Sequence, residues 1–313
     1  MKLLVYTDGG PATDKALAFA AHWVRQLQAE LAVITVRGET HAMETPPPLG
    51  REVPSPEWDR LPGGLQALTR AAAQLGQEEV LVLPAGIMIR ETPHSHFFTC
   101  PGRGDHKIVF HECFGPFIEA LNREIDRHRY DLLIIAPPER GRVRRWLLGD
   151  TTRKLALDLH TSVLVVRGGT PESRLMVCVD GSASCKRAFP LLQHLLPTIR
   201  KPVEILWVRS SRANAETADQ AAHCLSRAAQ WLEACGKPNR VNQIQNDHPA
   251  EAISTAAGED ALVVIGASLR HDVYRRTLGT LPMRLLARTS ASVLLAKAPP
   301  EDDPGTYGGK FTC

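Results

Sequence analysis

A seven-residue run occurs twice in this chain, and its recurrence constrains the architecture more than any other feature. Leu3-Leu4-Val5-Tyr6-Thr7-Asp8-Gly9 returns as Leu175-Met176-Val177-Cys178-Val179-Asp180-Gly181 at an offset of 172 residues, and the same offset carries Val36-Arg37 onto Val208-Arg209 without a gap. Further along, Leu148-Gly149 matches Leu278-Gly279 and Ser162-Val163-Leu164 matches Ser292-Val293-Leu294 at an offset of 130. The offsets differ by 42 residues, so the first copy carries that much extra chain between its second and fourth strands. Two segments can hold it: about 41–64, rich in Pro and Gly and read as loop, and about 86–106, which contains His94, His96 and Cys100 among turn formers. The copies are read as residues 1–168 and 174–298, followed by a polar tail, 299–313, expected to be mobile.

Within each copy, apolar runs alternate with helical patterns. Leu31 to Val36 and Val203 to Val208 are β-branched-rich and lack polar alternation, as parallel strands covered on both faces require. Ile108 to Phe110 and Val241 to Ile244 are third strands, Leu132 to Ala136 and Leu262 to Gly266 fourth strands, and Val163 to Val166 and Val293 to Ala296 closing strands. Helices are expected around Ala16 to Leu27, Leu65 to Leu75, Phe117 to His128, Ala188 to Leu195, Asn214 to Cys235 and Ala250 to Ala257. This alternation specifies right-handed βαβ crossovers, hence two tandem Rossmann-like α/β domains, each an open five-stranded parallel sheet with helices on both faces. Open apolar edges would aggregate, so the two closing strands are expected to pair with each other, making an intramolecular pseudo-dimer.

Composition excludes some classes of function. With 37 basic and 34 acidic residues, the net charge of +3 supplies no dominant basic field, which argues against a nucleic-acid partner. No apolar run approaches the roughly 20 residues that span a bilayer. The N-terminal run Leu3 to Tyr6 is cut short by Asp8, so no secretory signal and a cytoplasmic location are expected. Seven cysteines without regular spacing read as thiols.

Three features together resemble the universal stress protein family over both copies. They are the strand-Asp180-Gly181-Ser182 opening with Lys186-Arg187-Ala188 on the following helix, the segment Pro249-Ala250-Glu251-Ala252-Ile253, and the closing Leu-Gly-Thr helix leading to an apolar strand. Nucleotide-binding members of that family use the adenine nucleotide alpha hydrolase-like fold and a G-x2-G-x9-G-[S/T] motif after the fourth strand. An Asp at the end of the first strand and backbone near the end of the second complete their site. The resemblance implies an ATP, ADP or AMP site in the second copy formed by Asp180, Val208, Gly266, Gly279 and Thr280. Gly266 permits close backbone approach, while Gly279 and Thr280 at a helix start offer amides, a hydroxyl and a dipole to phosphate. Leu269 replaces the middle glycine. In the first copy the motif positions are Ala136, Glu139, Gly149 and Asp150, and like charge against phosphate predicts that this copy, with Asp8 in place of Asp180, binds no ATP. Arg140, Arg142, Arg144 and Arg145 are read as a solvated cluster.

His94, His96, Cys100, His106, His111 and Cys113 crowd one stretch, but their spacing fits no standard zinc motif and they are read as ordinary loop and strand residues, with no metal predicted. Ser182 and Ser184 lack a paired base, so no catalytic residue is assigned and at most slow ATP hydrolysis is expected. The competing reading is an adaptor without nucleotide, in which both clefts are relics and the inserted loops contact a protein partner. An enzyme of the wider PP-loop or flavoprotein class is disfavoured by the absence of a Ser/Gly-rich loop after the first strand.

Overall fold

The computed structural model describes residues 1–38, 48–103, 106–137, 158–186, 188–211, 214–267 and 280–297. These residues fall into two compact units, Met1–Arg142 and Val143–Cys313.

In the first unit, β1 (Lys2–Tyr6), α1 (Pro11–Leu27) and β2 (Glu30–Arg37) follow the expected alternation. Pro11 starts α1 where its missing N–H costs nothing, and Gln28 ends the helix in the left-handed region at φ 50°. The inserted chain is more structured than its composition suggests. The first insertion forms β3 (Glu52–Pro54) and a 3-10 turn over Ser55–Arg60, α2 (Gly63–Gln77) is the helix expected around Leu65 to Leu75, and the second insertion forms β4 (Gly86–Met88), β5 (Arg90–Thr92) and β6 (Ser95–Pro101). β3 and β4 make a separate antiparallel pair. Trp58, nearly buried, donates its indole N–H to the Val53 carbonyl at 3.1 Å and anchors the turn. The unit closes with β7 (Lys107–Phe114), α3 (Phe117–His128) and β8 (Leu132–Ile135). Its strand order is β8-β1-β2-β7-β6-β5. β8, β1, β2 and β7 are mutually parallel, whereas β6 and β5 extend the sheet antiparallel. Four of the five parallel strands expected in the first copy are in this unit, and the second insertion adds a hairpin laid on β7. β6 pairs with β7 from Lys107 to Cys113 and covers the edge that β7 would otherwise expose.

The second unit contains β9 (Ser162–Val165), β10 (Arg174–Cys178), α4 (Ala183–Lys186), α5 (Ala188–Leu195), β11 (Val203–Arg209), α6 (Ala215–Ala234), β12 (Asn239–Gln245), α7 (Pro249–Ala257), β13 (Ala261–Gly266), α8 (Thr280–Arg288) and β14 (Ser292–Ala296). Its order is β12-β11-β10-β13-β14-β9, with the first five strands parallel. β14 and β9 pair antiparallel through Val293–Val165, Leu294–Leu164 and Leu295–Val163, the pairing expected of the two closing strands. This ladder places β9, the end of the first sequence copy, within the second compact unit. Every residue of β14 and β9 is buried; since successive side chains point to opposite faces, both faces of the sheet are covered. β12 is the contrast: NRVNQIQ is polar and exposed, as an unprotected edge should be. Asn214 caps α6 by accepting from the Thr217 amide at 2.8 Å.

Candidate functional site

Parallel strands present their carboxyl ends along one side of a sheet, and a ligand crevice opens where the winding reverses. In the second unit the chain runs β10 to β11 to β12 on one side and then returns to place β13 and β14 on the other. The reversal therefore lies between β10 and β13. Asp180 stands two residues past β10, Val208 is the penultimate residue of β11, and Gly266 ends β13. All three occupy the carboxyl edge next to the switch point.

Local chemistry sets how each is presented. Asp180 is exposed, and its Oδ1 accepts from the Ser182 amide at 3.0 Å, folding the loop into an Asx turn. Gly181 adopts φ 76°, a left-handed conformation that a side chain resists, and its α-carbon faces the backbone of α6 at Ala221. Val208 is half-buried. β10 pairs with β11 only as far as Leu206, while β12 continues to Arg209, so the last three residues of β11 are held in the sheet on one side only. Gly266 is the last residue of β13 in register with β14, opposite Ala296. Thr280 opens α8, a helix of nine residues, so the amides of its first turn lack intrahelical partners. Gly279, Leu269 and the side chain of Thr280 lie outside the described residues.

The first unit repeats the turn. Asp8 is exposed and its Oδ1 accepts from the Gly10 amide at 2.9 Å, while Gly9 has φ 76° and abuts Ala67 of α2. Ala136 follows β8 and is buried. Glu139, Gly149, Asp150 and the four arginines Arg140, Arg142, Arg144 and Arg145 lie outside the described residues. Near the carboxyl ends of β2 and β7 this copy carries a buried carboxylate, whereas the carboxylate at the corresponding ends of β11 and β12, Asp247, is exposed and accepts from Ser210 and Ser211. Glu112 is fully buried; its Oε1 accepts from Arg37 Nη1 at 3.1 Å and its Oε2 lies 2.8 Å from His96 Nδ1.

The crowded histidines and cysteines are divided by the pleat. His96 turns to Glu112, and Cys100 is buried in β6, where desolvation pushes its thiol up to about 12. His111 and Cys113, two apart on β7, face the other way, towards Glu124 on α3. Glu124 and its helical neighbour His128 escaped the reading along the chain, because that reading weighed only residues close in sequence. The i,i+4 pairing of a carboxylate and an imidazole on a helix following the His-x-Cys strand was the available signal. Lys297, also unforeseen, is buried and donates its ammonium to the Leu159 carbonyl at 2.6 Å. None of the described cysteines is in a disulfide, and the sulfurs of Cys185 and Cys224 lie 3.9 Å apart. No helix among the described residues is long and apolar enough to cross a membrane.

Comparison with known proteins agrees with this geometry at the level of fold. The universal stress protein family model matches residues 1–167. A universal stress protein of Archaeoglobus fulgidus DSM 4304 superposes with a TM-score of 0.60 at 16% identity, covering 96% of this chain and 97% of that one. A functionally unknown protein of Pseudomonas aeruginosa PAO1 superposes with a TM-score of 0.61 at 11% identity, covering 95% and 92% respectively. None of the curated proteins compared with the chain matches it. The family match spans the first copy, and the chain belongs to the universal stress protein family.

Proposed function

We propose that this protein is a cytoplasmic stress-response regulator that binds one adenine nucleotide, ATP, ADP or AMP, at the carboxyl edge of its second copy. Asp180 would accept hydrogen bonds from the adenosine, the one-sided end of β11 at Val208 would contact the base, and Gly266, Gly279 and Thr280 would cradle the phosphates. The observation that carries this reading is the gathering of Asp180, Val208 and Gly266 at the winding reversal beside β10 and β13. Isothermal titration with ATP, ADP and AMP tests it. Saturable heat from the parent protein, weakened more than about tenfold in Gly279→Asp by like charge against phosphate, is expected. Absence of heat, or binding unchanged in that variant, counts against it.

One observation favours a second reading, a protein adaptor. Of the five exposed large apolar side chains among the described residues, Leu49 and Met88 lie in the insertions of the first copy, Val82 and Leu83 just before the second insertion, and Val241 on β12. Exposed apolar residues in and beside an insertion suit a partner surface. Nucleotide heat together with unchanged partner capture after Met88→Asp and Val82→Asp would separate the two.

A further inference from the structure

His111, Cys113 and Glu124 each direct one ligand atom into a common space, and the three atoms lie within 4.8 Å of one another. They come from two elements by simple periodicity. His111 and Cys113 share one face of β7 because strand side chains alternate, and Glu124 and His128 share one face of α3 because they are four residues apart. Gly115 at φ 117° and Pro116 make the tight connection that returns α3 towards β7.

The distances are those of groups arranged about an ion. Glu124 Oε1 lies 3.8 Å from His111 Nε2 and 3.6 Å from His128 Nε2, too far for hydrogen bonds. Ligands of a tetrahedral ion bound at about 2.0 to 2.3 Å stand roughly 3.3 to 3.8 Å apart, so small rotations would complete the sphere. Glu124 Oε1 also accepts from the Tyr130 hydroxyl at 3.1 Å, which fixes the carboxylate as an outer partner does around a metal. His111 Nδ1 is buried without a hydrogen-bond partner, so the ring is positioned by its stacking on Phe97 rather than by an outer hydrogen bond. Cys113 and Glu124 are almost wholly buried, whereas the His128 side chain is 43% exposed, its ring centroid 6.0 Å from that of His111 and 6.1 Å from that of Tyr130. Burial disfavours the charged forms of both Cys113 and His111, Arg127 adds to that on His111, and Arg123 favours the Cys113 thiolate. Arg123 is held aside, with Nη1 donating to the Phe114 carbonyl at 3.3 Å. The last turn of α3, which carries His128, points its free carbonyls outward, and that end of a helix favours a cation.

We propose that His111, Cys113, Glu124 and His128 form a zinc site that ties β7 to α3. One thiolate, two imidazoles and one carboxylate match the borderline-soft, tetrahedral preference of Zn²⁺, whereas all-oxygen preference excludes Ca²⁺ and Mg²⁺. With four protein ligands the site is closed, so its role is to hold the strand–helix unit together rather than to activate water. It lies in the first copy and is independent of nucleotide binding in the second.

The full chain, purified without chelating resin and without a histidine tag, is titrated with Zn²⁺ and Co²⁺. One zinc per chain is expected, with a sulfur-to-cobalt charge-transfer band and the d–d bands of a four-coordinate ion on substitution. Cys113→Ser and Glu124→Gln should each weaken zinc by more than about tenfold, as loss of a ligand does. Zinc-edge absorption on the unmodified chain should find one sulfur and two imidazoles, a readout that holds even where a core variant does not fold. His128→Ala, at an exposed position, should weaken zinc without unfolding the protein. Failure of the parent chain to bind stoichiometric zinc, more than one sulfur at the zinc edge, or equal affinity in His128→Ala overturns the assignment.

Discussion

Gly181 leaves no room for a side chain beside Ala221: a Cβ there would stand 2.9 Å from the Ala221 amide nitrogen, and the residue already sits at φ 76°. Gly9 repeats the arrangement against Ala67, where the nearest atom is a methyl at 3.0 Å. Replacement by alanine adds about 1 to 2 kcal/mol for the left-handed backbone. Overpacking contributes about 1 to 3 kcal/mol more. Gly181→Ala should therefore destabilise more than Gly9→Ala, because three main-chain atoms of α6 lie within 3.1 Å of the added Cβ, whereas at Gly9 the two nearest atoms are at 3.0 and 3.2 Å. Urea unfolding of the two variants checks the order, and a Gly181→Ala protein as stable as its parent contradicts it.

The antiparallel ladder between β14 and β9 is the driest part of the second unit, with Leu294 opposite Leu164 and both wholly buried. Truncation of either leucine to alanine should cost about 2 to 5 kcal/mol. Leu294→Asp should prevent the ladder from forming, since a carboxylate there has no partner. Aggregation in size-exclusion chromatography is its expected signature, as the freed apolar strands seek other edges. A monodisperse Leu294→Asp protein would show that the ladder is dispensable.

Lys297 makes stability depend on pH. Burial pushes its ammonium down to about 7 from 10.5, with Asp158 acting weakly in the other direction. The unfolded chain then holds a proton that the folded chain lacks between those values, so stability rises with pH from about 7 towards 10.5. Below 7 both states are protonated and the cost of the buried charge is constant. Lys297→Met removes the titrating group and should flatten that rise. Chemical unfolding midpoints measured between pH 7 and 10 for both proteins decide the matter.

Glu112 is another buried charge, shared between Arg37 and His96. Gly64, in the first turn of α2, lies so close that a Cβ would collide with Glu112 Oε1. Glu112→Gln should cost about 1.5 to 3 kcal/mol, the worth of a hydrogen bond to a charged group. Gly64→Ala should also destabilise, although alanine favours helix by about 1 kcal/mol. A stabilised Gly64→Ala protein, read by thermal melting, would show that the carboxylate moves aside without loss.

Much of this was visible along the chain. The repeated Asp-Gly openings located both left-handed turns, and the apolar runs at 132–136, 163–166, 262–266 and 293–296 located strands buried on both faces. Those signals are local: a left-handed residue or an unbroken apolar run is written in neighbouring residues. The hairpin of β5 and β6 was less legible, because Pro and Gly mark turns but do not say whether a turn joins strands. The more apolar and largely buried IVFHECF against the polar and exposed VNQIQ at equivalent positions was the trace it left, one strand covered and the other an edge.

By itself the sequence determined the repeated α/β alternation, the parallel strands and long helices common to the two copies, and the family to which the chain is similar, since each depends on periodicity and on short motifs. Tertiary structure alone decided which residues meet. Glu112 and Cys113 are chain neighbours, yet the pleat sends one to Arg37 and His96 and the other to Glu124. The physical reason is that a site is made of side-chain directions from different elements, and those directions exist only once strand and helix have packed.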